Sequence, residues 1–381
     1  MLWHPQLHYD INDEQTLRLV EVATVIFIPA AFLFSPLSDR LGLRAVVILS
    51  CFFIAAGGIV RWREEEGYWS LVIGQALNGL AGPVIMNAPP QLAAEFFPLR
   101  QRTTATAVAW GAQLIGVALG YAIFPRLVPT PAKIPEMNFV LAVMCLGTFA
   151  VSFTFPGKPP NPPTTSASMS KLGFFEGMVV LAGKPMYVML AVTVGVTGGL
   201  SQGWGSFFNV FLDDQFSDKL LGNIATGCYL SSIVGTLAVG LLVDVFGLQR
   251  NLKAILVVIF VIWTALIAAF MFLVYYASWE VELYQIGAVY ISFGLINGAS
   301  GPIALELAAE IAFPVAEETA ASYLTIIWQV VNVIVMETFY RMDNRMINWV
   351  TVGGLAFCTL VLVPIKSTDA RIKLDDVRGL A

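Results

Sequence analysis

The chain has 381 residues, 57% of them hydrophobic and only 12% charged, with a mean hydropathy of +0.75. A soluble domain runs near 25% charged, so this composition belongs to a protein embedded in lipid. Its 21 Lys and Arg against 26 Asp and Glu leave a net charge of −5 with no basic block, which excludes the dense positive surface that nucleic acid requires. The four cysteines, Cys51, Cys145, Cys228 and Cys358, lie inside apolar runs, and both histidines, His4 and His8, sit in the N-terminal tail. That pattern excludes a disulfide framework, a Cys-rich metal motif and a His-based zinc or catalytic centre inside the membrane.

Taken in chain order, the first fifteen residues lack the basic start and apolar stretch of a cleavable signal peptide. A spanning helix needs about 20 predominantly apolar residues. Such segments run over 19 to 37, 43 to 61, 70 to 88, 104 to 124 and 137 to 155. Residues 157 to 178, GKPPNPPTTSASMSKLGFFEGM, are too rich in Pro, Ser and Thr to bury apolar surface and read as a surface linker. Further spans follow over 185 to 210, 222 to 244, 252 to 276, 282 to 304, 319 to 340 and 347 to 364. The result is an all-α polytopic membrane protein: an N-terminal bundle (1–156), a linker (157–184), a C-terminal bundle (185–365) and a tail (366–381). Thirteen of the 21 Lys and Arg fall on the side that holds the linker and the tail, which makes that side cytosolic.

The two blocks repeat each other. NGLAGPVI (78 to 85) matches NGASGPIA (297 to 304), and QLAAEFFP (91 to 98) matches ELAAEIAFP (306 to 314). In the same alignment Gln113 falls opposite Gln329. Upstream, SPLSDRLGLR (35 to 44) matches GLLVDVFGLQR (240 to 250), with Asp39 opposite Asp244. Several matches in one order at a near-constant offset are the mark of internal duplication. In each copy the Asp can accept from the N-terminal amides of a neighbouring helix or pair with the following Arg, while Gly42 and Gly247 permit the tight turn.

This loop, present twice as Asp39, Arg40, Gly42, Arg44 and as Asp244, Gly247, Arg250, resembles the signature loop of the major facilitator superfamily. Leu43 stands where a basic residue is common in that family, and Ser35 where Gly is common. The resemblance implies two pseudo-symmetric bundles of six helices. Here the first block has five and the second six, so the chain reads as lacking the first transmembrane helix, through a truncated gene model or isoform. Residues 78 to 121, the KPPNPP linker and 301 to 329 are further similar to solute carrier family 49, the feline leukemia virus subgroup C receptor-related group. That likeness implies an uncoupled or proton-linked transporter of a small organic solute, with choline, ethanolamine, pyridoxine and haem each attached to one member or another.

Transporters built from parallel repeats hold substrate at the repeat interface near the bilayer midplane. Gln113 and Gln329 are therefore the first candidates for the binding site, the alternative being helix-to-helix hydrogen bonding. The family resemblance points the same way, since matching positions line the choline site in relatives. In the sixth span GGLSQGWGSFFN (198 to 209), the glycines are expected to bend the helix beside Gln202 and Trp204. An aromatic face attracts a quaternary ammonium by roughly 0.5 to 2 kcal/mol, so Trp204 and Trp328 are candidate cage walls, with core packing as the equal alternative. Gln202 stands where choline-carrying members of the resembled family have tyrosine.

Asn78, Asn87, Asn297 and Asn332 read as packing amides. Pro83, Pro89, Pro90 and Pro302 read as interruptions that serve as hinges or as plain curvature. Glu95, Glu306 and Glu310 close helices on the linker side and are expected to pair with Arg100, Arg102 and Arg250, holding the inward gate shut. Glu306 is also a candidate for proton coupling. Glu337 lies in the tenth span, and Asp213, Asp214 and Glu64 to Glu66 read as solvated. Phosphate-loop, H-E-x-x-H, C-x-x-C and G-x-S-x-G motifs are absent, so no enzyme, metal or cofactor is expected. The expected partners are a small solute and the bilayer, with the protein a monomer in a lysosomal, vacuolar or plasma membrane. The second function class is a truncated membrane protein that binds partners without transporting.

Overall fold

The computed structural model of the chain describes residue 9 and residues 11–63, 67–128, 130–212, 218–277, 282–366 and 370–376. His4, His8, Glu64 to Glu66, Asp213 and Asp214 lie outside the described residues. The long apolar runs are helical, as they must be where a lipid surround offers no partner for an open backbone. Among the described residues five α-helices precede the linker: α1 (Asp13–Leu41), α2 (Leu43–Arg63), α3 (Tyr68–Phe96), α4 (Arg102–Leu127) and α5 (Ile134–Ser152). After it come α6 (Phe174–Ala182), α7 (Pro185–Ser206), α8 (Asp218–Val245), α9 (Leu252–Tyr275), α10 (Leu283–Ala312), α11 (Glu317–Phe339), α12 (Asn344–Leu362) and α13 (Ala370–Asp376).

Ten of these are long and apolar enough to cross a membrane. The eleventh expected span is a broken one, α6 and α7 together, bent by 99°. The bend lies at Gly183 and Lys184, directly before Pro185 at the first position of α7. Proline there lacks the amide that would continue the preceding helix and is pre-set to start a new one. The linker is thus more ordered than its composition suggests, holding α6 and a helical turn at Thr165–Ser168.

Two expectations about breaks need correcting. Pro83, Pro89 and Pro90 lie within an unbroken α3, and Pro302 lies within an unbroken α10. Neither do the glycines of 198 to 205 break α7, which ends only at Phe207. Gly198, Gly199 and Gly203 face α11 at contact distance instead, with an added Cβ on Gly203 meeting Val335 at 2.3 Å.

The chain packs as two compact units, residues 1–88 with 122–160, and residues 89–121 with 161–381. In the first, α2 runs along α5 and α1 packs on α2. In the second, α8 pairs with α10, α7 with α11, and α9 and α12 pack on both each other and those pairs. Packing therefore groups α4 up to Tyr121 with the second unit, although the sequence repeat assigns α4 to the first block. Large apolar side chains such as Val151, Val245, Phe357 and Leu360 point outward, the arrangement a lipid surround favours.

Candidate functional site

A small void of about 20 Å³ lies inside the second unit among α4, α7, α9, α10 and α11. Trp110, Trp263, Trp328 and Phe260 form most of its wall. Two glycines seat the indoles. A Cβ on Gly198 would meet Trp328 at 2.4 Å, and one on Gly301 would meet Trp110 at 2.6 Å. The rings of Trp110 and Trp328 stand 6.3 Å apart at 48°, and the Trp328 indole donates to Gln202 Oε1 at 2.7 Å. The Trp263 indole nitrogen is buried with no protein partner. The wall thus offers apolar and π surface, one unused donor, and hydroxyls from Thr197, Ser300 and Thr325.

Of the sequence candidates, the structure brings Gln202 and Trp328 together at this wall. Gln113 is half-buried on α4, one turn beyond Trp110, and Gln329 is buried on α11 directly after Trp328. Neither glutamine lines the cavity. Trp204 stands elsewhere: it is 0% exposed, donates to Asn348 Oδ1 at 2.9 Å and is ringed by Phe211, Phe270, Tyr290 and Phe293. It fills the core and walls no cage. Sequence reasoning missed Trp110 and Trp263. A signal for Trp110 exists, because each repeat-related glutamine has a tryptophan within one helical turn before it.

The two signature loops are built alike and used differently. Gly42 (φ +81°) and Gly247 (φ +65°) both take the positive-φ turn, where a side chain is strained. Asp244 is buried and accepts the Thr104 amide at 2.7 Å, in the first turn of α4, with Gln249 on its other oxygen at 3.2 Å. An anion suits that helix end. Asp39, Arg40 and Arg250 are exposed, and Arg44 donates to the Phe153 carbonyl at 3.0 Å. Replacing Asp244 by Ala strands the Thr104 amide, and we expect a loss of about 1 to 3 kcal/mol, read as a lower melting temperature in detergent. Asp39→Ala should cost less, because its carboxylate is exposed.

The acids at the linker-side ends of α10 and α11 meet a different partner from the one expected. Arg371 of α13, 2% exposed, donates to Glu306 Oε2 at 3.1 Å and lies 3.8 Å from Glu317 Oε1. Its backbone amide donates to Glu310 Oε1 at 3.0 Å. Burial opposes the Arg371 charge, yet Glu306, Glu317, Glu310 and Asp375 more than offset it and raise its pKa above the usual guanidinium value. Lys171 pairs with Glu317, and Thr106 donates to Glu306 Oε1 at 2.6 Å. Arg102 pairs instead with Asp375 at 3.0 Å, beside Thr164 and Ser166. Arg100 and Arg250 line an open cleft next to this cluster. Glu95 takes a bond from Gln91 at 2.9 Å, and Glu337 pairs with Arg341 at the exposed surface. No group of three or more His, Cys, Asp or Glu placed to hold a metal ion occurs among the described residues.

The Major Facilitator Superfamily model matches residues 8–336. Among curated relatives, the solute carrier family 49 member 4 homolog of Xenopus laevis is 27% identical over 96% of this chain and 86% of its own. The solute carrier family 49 member A3 of Xenopus tropicalis is 26% identical over 85% of this chain and 69% of its own. The choline/ethanolamine transporter flvcr2a of Danio rerio is 22% identical over 96% and 80%. Among solved structures, the proton:xylose symporter XylE superimposes with a TM-score of 0.76 at 16% identity, covering 98% of this chain and 91% of that one. The E. coli fucose:proton symporter FucP does so with 0.71 at 13% identity, covering 96% and 94%. These last two establish the fold.

Proposed function

We propose that this chain, which belongs to the Major Facilitator Superfamily and is a multi-pass membrane transporter, moves a small organic cation by alternating access, without ATP. The repeat halves rock about a central site, and the solute crosses unchanged. The observation that supports this reading is the tryptophan cavity. Three indoles and a phenyl ring around one void attract an alkylammonium by roughly 0.5 to 2 kcal/mol per well-placed face, and the unused Trp263 donor suits a hydroxyl on the same solute. In this conformation the void measures about 20 Å³, room for about one water, so a solute enters it only once the surrounding helices part in the transport cycle. The flvcr2a relative, called a choline/ethanolamine transporter, favours choline and ethanolamine. Gln113 and Gln329, each one turn or less from a cavity tryptophan in sequence, remain candidates to meet the solute outside the indole pair. The surplus of Lys and Arg on that side supports a cytosolic linker and tail.

Uptake of labelled choline, ethanolamine and pyridoxine into proteoliposomes tests this. Trp328→Ala and Trp110→Ala should each lower kcat/KM at least tenfold for the true substrate, and Gln113→Ala and Gln329→Ala should do so by a smaller factor. Wild-type uptake in both tryptophan variants rejects the cavity, and wild-type uptake in both glutamine variants rejects the pair.

A further inference from the structure

The C-terminal segment KSTDARIKLDD has the composition of a solvated tail, yet α13 within it is fastened at both ends by buried charge. At one end, Arg371 sits among Glu306 and Glu310 of α10 and Glu317 of α11. At the other, Asp375 accepts from the Arg102 guanidinium at 3.0 Å, from the Ser166 amide at 2.8 Å and from the Ser166 hydroxyl at 2.8 Å. Ile372, 4% exposed, lies between them. A seven-residue helix cannot hold itself in water, so its place depends on these contacts. Burying a guanidinium is costly unless several partners surround it, and here the carboxylates of two helices converge on one arginine. Each anchor also grips a different set of elements: Arg371 holds α10 and α11, while Asp375 holds the first residue of α4 and the linker turn.

These elements are the ones an alternating transporter must separate. α4 derives from the first repeat and α10 and α11 from the second. Besides the tail, they are tied at this end by the Thr106–Glu306 bond.

We propose that Glu306, Glu310 and Glu317 form a guanidinium-binding site whose ligand in cis is Arg371, and that residues 370–376 are thereby a latch holding the linker-side gate of the transporter closed. Opening toward the linker side requires α13 to leave, and whatever competes for the acidic site or sequesters the tail speeds that opening.

The test needs no substrate. Leu305 lines the tryptophan cavity, is 4% exposed and is the neighbour of Glu306. Leu305→Cys is introduced with Cys51, Cys145, Cys228 and Cys358 replaced by alanine, and its labelling by a membrane-impermeant maleimide is timed from the linker side. A chain ending at Ile365 should label at least tenfold faster than the full chain. A peptide of residues 366–381 added in trans should restore slow labelling, and the same peptide carrying Arg371→Ala should not. Arg371→Lys in the full chain keeps the charge and the fold but loses the fork geometry, and should label several-fold faster than Arg371. Equal labelling of the full and shortened chains, or of Arg371 and Arg371→Lys where the shortened chain does not fold, overturns the latch. Equal restoration by both peptides overturns the assignment of the guanidinium as its ligand.

Discussion

Trp204→Ala is expected to unfold the second unit at temperatures where the parent chain is intact, while Trp328→Ala, which removes a half-buried ring, lowers the melting temperature less and cuts uptake at least tenfold. Truncating a fully buried tryptophan costs about 3 to 5 kcal/mol through lost contacts and the cavity left behind. Trp204 carries more than its volume. Its ring meets Phe270 at 5.1 Å and 84°, and Phe293 at 5.3 Å and 66°, edge-to-face contacts that add about 0.5 to 1.5 kcal/mol each. Its indole satisfies Asn348, also 0% exposed. Removing the donor leaves a buried amide oxygen without its indole partner, at about 1 to 3 kcal/mol. Trp204→Phe separates the two contributions, since it keeps much of the ring packing and loses only the hydrogen bond; it should fall between parent and Trp204→Ala. Unfolding is followed by differential scanning calorimetry in detergent, which does not depend on tryptophan emission. A Trp204→Ala protein that melts like the parent but fails to transport would return this residue to the substrate site.

The spans were legible because each needs only length and apolarity, properties that single residues cannot hide. Sorting the tryptophans was harder. Trp204 and Trp328 both lie in apolar helices, and the sequence around them does not show which indole meets Asn348, 144 positions away, and which meets Gln202. Trp263 is hidden more deeply still, inside an apolar run with only Thr264 as a polar neighbour. The tail shows the same limit in reverse. Arg371 and Asp375 carry the charges expected of solvent-exposed residues, and only the convergence of Glu306, Glu310 and Glu317 at two helix ends turns that arginine into a buried group. What the repeat did reveal was chemistry confined to one loop. Asp244 takes the helix-start amide that its position beside a turn glycine allowed, because donor and acceptor are both fixed by backbone geometry. Its counterpart Asp39 is exposed, so the two copies of the motif differ in burial.

Gly235→Ala should be among the most damaging single-methyl additions in the chain, and Gly222→Ala, on the same helix, should be harmless. The seam between α8 and α10 is closed by three hydroxyls: Ser231 donates to the Ile291 carbonyl at 2.6 Å, Ser232 to Gly294 at 2.8 Å and Thr236 to Gly298 at 2.7 Å. In lipid, where apolar burial does not drive helix pairing, close backbone approach and such bonds hold helices together. Gly235 sits in this row, and a Cβ there would lie 1.8 Å from the Leu295 carbonyl oxygen, far inside the 3.0 Å below which something must shift. The obstacle is backbone, so no side-chain rotation relieves it. The helices must part, and parting them stretches all three hydroxyl bonds at once. We expect a cost at or above the upper end of the 1 to 3 kcal/mol usual for overpacking. Gly222 has nothing within 4 Å of the added methyl, and alanine favours a helix over glycine by about 1 kcal/mol, so that substitution should hold or raise the melting temperature. Calorimetry on the two variants decides the matter. If Gly235→Ala melts no lower than Gly222→Ala, the α8 and α10 backbones are not in contact, and the hydroxyl seam does not hold this unit together.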